Sequence, residues 1–156
     1  MIIRETNPGL LQGNDGCVHV LIWTGVITEQ NLDRSLAFAR ALIAKHPTGI
    51  VAVNIVAHGL QLPQGGAQRR ANEVSAAIDA NVLATAVVLP GEGFWVGAAR
   101  AFLTGLNLVS PLKGKRTIAR SIEEGFRFAA SHAGRSPAWA AQIARSTEAV
   151  LTETSR

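Results

Sequence analysis

The 156-residue chain sets 15 Lys and Arg against 11 Asp and Glu, a formal net charge of +4, and 47% of its residues are hydrophobic. That length suits one globular domain, with a core that removes about 70% of the unfolded chain's surface from water. The basic residues are scattered apart from Lys113, Lys115, Arg116 and Arg120, which argues against nucleic acid as a partner, and the lone Cys17 excludes an internal disulfide or a cysteine-rich metal site.

The opening residues lack the charged-then-apolar pattern of a signal peptide, and no apolar run reaches bilayer length. A soluble, cytoplasmic protein is expected, not an integral membrane one. Residues 1–5 form a short candidate strand, and Asn7-Pro8-Gly9 is a turn. Leu10 and Leu11 add one or two extended residues before a second turn at Gly13-Asn14-Asp15-Gly16. Residues 17–24, rich in Val, Ile and Trp, read as a strong strand in which Cys17 is a buried, inert thiol. Connections this short make an antiparallel pair at one end of a sheet.

Thr28 caps the first helix and Glu29 suits the positive end of its dipole. Leu32, Leu36, Ala39, Leu42 and Ile43 share one face, and His46-Pro47 ends the helix. Residues 50–57 are the next strand, 58–66 a loop, and 67–81 a helix with Val74, Ala77 and Ile78 as its apolar side.

The centre of the chain is 82–108. The apolar run 82–89 reads as a strand buried on both faces, Pro90-Gly91-Glu92-Gly93 stops it, and residues 94–106 take up helical spacing through Trp95, Ala98, Ala99, Phe102, Leu103 and Leu106. After breaks at Pro111 and Gly114 comes a short edge strand, 115–119. Ser121 caps a helix over 121–132, with Ile122, Phe126 and Ala129 or Ala130 facing inward and Gly134 just past its end. Ser136-Pro137 starts the last helix, whose apolar face holds Trp139, Ile143, Val150 and Leu151.

The expected fold is α/β: an open mixed, mostly parallel sheet of about five strands, in the order β-β-α-β-α-β-α-β-α with an extra C-terminal helix. Residues 1–134 form the α/β domain, and 135–156 an amphipathic helix that is part of the same domain or an oligomerisation element.

This order resembles the STAS domain of anti-sigma-factor antagonists and sulfate transporters, in the divergent branch that includes Sec14-like lipid-binding relatives. The resemblance is carried by Trp23-Thr24-Gly25-Val26-Ile27-Thr28, the strands at 50–57 and 82–89, and the stretch 116–126. It implies a non-catalytic regulatory or scaffolding module. Phosphoswitch members carry a Ser or Thr at the start of the helix after the third strand. Here residues 49–74 contain neither, so no phosphorylation is expected there.

Three groups could carry chemistry. Gly91-Glu92-Gly93 could cradle an anion at a helix start, although Glu92 opposes one, and the plainer reading is a tight turn. His58 and Glu92 both follow strands, at the carboxyl edge where open α/β sheets place ligands. They would be an acid–base pair in an enzyme, or the polar rim of a groove. Arg69, Arg70 and Arg100 could meet a phosphate or a partner's carboxylates, or simply be solvated, and Trp95 is either core or an interface anchor.

The expected function is therefore binding of a protein partner or a second copy of the chain, a possible homodimer, through His58, Arg69, Arg70, Gly91, Glu92, Gly93, Trp95 and Arg100. The alternatives are a carrier of a small anionic or lipid ligand, with an apolar pocket between the last helices and the sheet, and an enzyme using His58 and Glu92. No cofactor and no metal set is expected, because His19, His46, His58 and His132 lie in separate segments.

Overall fold

Strict alternation along three strands builds the molecule. In residues 18–22, 51–55 and 84–88 every second side chain enters one apolar cluster, and the side chains between them face the other way. The computed structural model describes residues 2–57, 63–90, 97 and 115–156. Their strands are β1 (Ile2–Asn7), β2 (Leu10–Asp15), β3 (Val18–Trp23), β4 (Ile50–Val56), β5 (Val82–Val88) and β6 (Lys115–Ala119). The helices among them are α1 (Glu29–Lys45), α2 (Gly65–Ile78), α3 (Ile122–Ala133) and α4 (Pro137–Thr154). No described helix is long and apolar enough to cross a membrane.

The strands form one mixed sheet in the order β1-β2-β3-β4-β5-β6. The pairs β1–β2 and β2–β3 are antiparallel, and β3 to β6 run parallel. The α/β class and the antiparallel start at one end match the expectation. The strand count does not: among the described residues six strands replace about five, and three of them precede the first helix. Leu10–Asp15 is a full strand, paired on both sides, and the turn moves on to Gly16-Cys17. Two flanking ladders hold Gly13 and Asn14 extended although both favour turns, a case of sheet context overriding local propensity. Cys17 is only half-buried and its thiol is free.

The helix termini follow their signals. Thr28, Ser121 and Ser136 each accept the amide of the residue three positions on. Gly134 ends α3 in the left-handed conformation, at φ 66°, where its missing Cβ removes the steric cost. The helix expected over 94–106 lies outside the described residues, apart from Gly97.

On one face, Phe126, Ala129 and Ala130 of α3 and Ala140, Ile143 and Ala144 of α4 cover Val18, Val20, Ile22, Val51, Val53, Ile55, Ala84, Ala86 and Val88. The last helix thus packs on its own chain. Trp139 stands edge-on to Phe126, with ring centroids 6.2 Å apart. The helix approaches β5 closely at Gly125, where a Cβ would lie 2.5 Å from a methyl of Val88. Gly125→Ala is therefore expected to destabilise the protein by about 1–2 kcal/mol in urea titrations, although alanine is the better helix former. In a Val88→Ala background the same substitution should become neutral or stabilising. A stabilising effect in the wild-type background would mean that the helix can lift off the sheet at no cost.

Candidate functional site

The opposite face of the sheet is built differently. Here His19, Leu21 and Trp23 of β3, Ala52, Asn54 and Val56 of β4, and Thr85 and Val87 of β5 point toward α1 and α2. The centre of this face carries Ala52, Asn54 and Thr85, and on β4 the other face carries Val51, Val53 and Ile55. The cross-strand register places His19, Ala52, Thr85 and Arg116 in one row across four strands. The two middle residues of that row are small, and so are Ala39 and Ala71 above them on the helices. Side chains this short cannot close the gap between sheet and helices. A mostly apolar cavity of about 190 Å³ results. The small-ligand expectation placed a pocket beneath the last helices; the structure has packed core there and the cavity on the other side.

Several polar groups stand in the mostly apolar wall, and some of them are fixed there. Trp23 donates its indole N–H to Oδ1 of Asn54 at 3.2 Å. The Ser35 hydroxyl is turned back to the carbonyl of Leu32 at 2.7 Å. At the β6 end, burial pulls the Arg116 guanidinium below its ordinary pKa, and the charge of Asp79 works in the other direction.

His19 is the deepest of these groups, 2% exposed. Its Nε2 meets Oε1 of Gln12 at 3.1 Å, and its ring stacks on Phe38 with centroids 4.8 Å apart. Gln12, fully buried, donates through Nε2 to the carboxylate of exposed Glu5 at 2.7 Å and to the Arg34 carbonyl at 3.4 Å. Both of those partners only accept, so the amide orientation is determined and Oε1 faces the histidine. Nε2 of His19 must then carry the proton. Desolvation lowers the His19 pKa to about 3, so the ring is neutral at physiological pH.

Of the residues singled out as candidate binders, Arg69 and Arg70 lie among those described. Arg69 is exposed on α2. Arg70 binds Asp33 of α1 at 2.6 Å and Glu73 at 2.9 Å. Its charge ties the two helices together over the cavity, and Glu73 supplies the nearby acid that a cation at a helix start requires. His58, Gly91, Glu92, Gly93, Trp95, Arg100 and Phe102 lie outside the described residues. Among the described residues no cluster of His, Cys, Asp and Glu could hold a metal ion.

The cavity residues were missed because the strands at 50–57 and 82–89 read as continuously apolar. One signal was present in them: Asn54 in mid-strand. Neither a family model, nor a curated protein, nor a solved structure matches the chain.

Proposed function

We propose that this chain is a non-catalytic binding domain for a small, largely apolar molecule held between the sheet and helices α1 and α2. The observation that carries the reading is the cavity itself: about 190 Å³, mostly apolar walls, and polar groups supplied by both the strands and the helices. Binding sites for small molecules have this composition. An apolar void of about 150 Å³ is already enough to hold benzene. The Sec14-like side of the STAS-like resemblance fits this reading better than the phosphoswitch side, because no hydroxyl residue occurs in 49–74. A cytoplasmic location belongs to the same proposal. Partner binding through His58, Glu92, Trp95 and Arg100 rests on positions outside the described residues, so the cavity takes precedence.

Toluene is a suitable first probe. At about ten times its Kd it should stabilise the protein by about 1.4 kcal/mol. For a domain of this size that is a rise in Tm of about 3–5 °C. Ala52→Leu places a larger side chain in the floor of the cavity and should abolish the rise, while changing the stability of the free protein by less than about 1.5 kcal/mol. No rise with wild-type protein, or an equal rise with Ala52→Leu, overturns the proposal.

A further inference from the structure

We infer that the cavity selects a ring-sized molecule carrying a neutral hydroxyl or N–H group that donates a hydrogen bond to Nδ1 of His19. This deepens the ligand-binding reading and rests on it. The first support is the tautomer. Glu5 and the Arg34 carbonyl orient Gln12, and Gln12 places the histidine proton on Nε2. Nδ1 is then an acceptor, and no described residue donates to it. An acceptor that keeps accessible surface on a histidine only 2% exposed is open to a donor. The histidine belongs to the cavity wall, so a molecule in the cavity can supply one.

The second support is charge. On the far side, the charge of Asp79 acts on the Arg116 guanidinium. Lys115, exposed at the start of β6, lines the same end of the cavity. Asp79, Lys115 and Arg116 are the charged groups of the described lining and lie away from His19, so the histidine end offers an ionised group no counter-charge to offset its lost hydration. The third is shape. The row from His19 across Ala52 and Thr85 is a flat floor of small side chains between a histidine ring and a guanidinium. A planar ring can lie along it with its hydroxyl at the histidine end. Stacking on Phe38 holds the imidazole plane, so the acceptor is oriented before the ligand arrives.

Phenol and toluene differ by the group in question and have nearly the same volume. Their dissociation constants should be measured by calorimetry on wild-type protein and on His19→Phe, which keeps an aromatic ring and removes the acceptor. The preference for phenol relative to toluene should fall at least tenfold in the variant. A second readout needs no variant: in ¹⁵N-labelled wild-type protein the Nδ1 resonance of His19 should move on adding phenol and stay in place on adding toluene. Toluene binding with an unchanged preference ratio and an unmoved Nδ1 resonance overturns the donor inference and leaves the cavity reading standing. Binding of neither molecule overturns both. Should His19→Phe fail to fold, the nitrogen resonance decides alone.

Discussion

Phe126→Ala should lower the stability of this protein by about 3–5 kcal/mol, the cost of emptying a large, well-packed aromatic site. Phe126 is fully buried and heads the largest side chains that are. It reaches from α3 into the cluster formed by β3, β4 and β5, and the edge of Trp139 closes the space behind it. Neither neighbouring helix can collapse into the void easily. Gly125 already sets α3 against Val88, and the Arg135–Asp15 pair at 3.6 Å joins the connection before α4 to the β2–β3 turn. A domain with a total stability of about 5–15 kcal/mol would lose a large share of it. The midpoint of thermal unfolding should fall by about 8–15 °C. A loss below about 1 kcal/mol in urea would show that the interface between α3 and the sheet is not the main core.

The second large effect is acid destabilisation through His19. Its folded pKa is about 3, against about 6.5 for an unperturbed histidine. The unfolded chain therefore takes up the proton first as pH falls. Between these two values the unfolded state binds more protons than the native one, so stability rises with pH and is lost on acidification. The slope from this one group is about 1.4 kcal/mol per pH unit, or about 2 kcal/mol from pH 6.5 to 5. The burial responsible is that of a ring enclosed by Phe38, Gln12 and the cavity wall. His19→Gln retains a donor for Oε1 of Gln12 and cannot titrate. Urea titrations at pH 7.5 and pH 5 should show the wild type losing about 2 kcal/mol more than this variant. Parallel losses in the two proteins would mean that His19 is solvated when the ring charges.

Acid sensitivity and ligand selection share one arrangement. The relay from Glu5 through Gln12 keeps the proton on Nε2, and burial keeps a second proton away. A neutral histidine with a fixed tautomer is a hydrogen-bond acceptor across the physiological range. The exposed Glu5 end of the relay lets its carboxylate stay hydrated while Gln12 remains fully satisfied inside.

Much of the architecture could be read from the residues in order. Thr28, Ser121, Ser136-Pro137 and Gly134 mark helix ends by local hydrogen bonding and backbone sterics, and the structure places the ends there. The inward set Ile122, Phe126, Ala129 and Ala130 follows from helical spacing alone and is buried as expected. Lys115–Ala119 is an edge strand, as its length and charge suggest. These features depend on neighbours within a few positions in the chain. Three others do not. The strand at Leu10–Asp15 exists because β1 and β3 flank it, which no turn preference at Gly13 or Asn14 could reveal. The pairing of Arg70 with Asp33 spans 37 positions and exists because α1 and α2 lie side by side. The cavity needed the register: Ala52 and Thr85 are unremarked small residues in their own strands, and only their alignment between His19 and Arg116 leaves a space. Periodicity within a segment decided which residues face inward, because side-chain direction is a property of the local backbone. Which inward residues meet, and where they fall short of meeting, was decided by the tertiary structure, because that depends on the alignment of segments the chain keeps far apart.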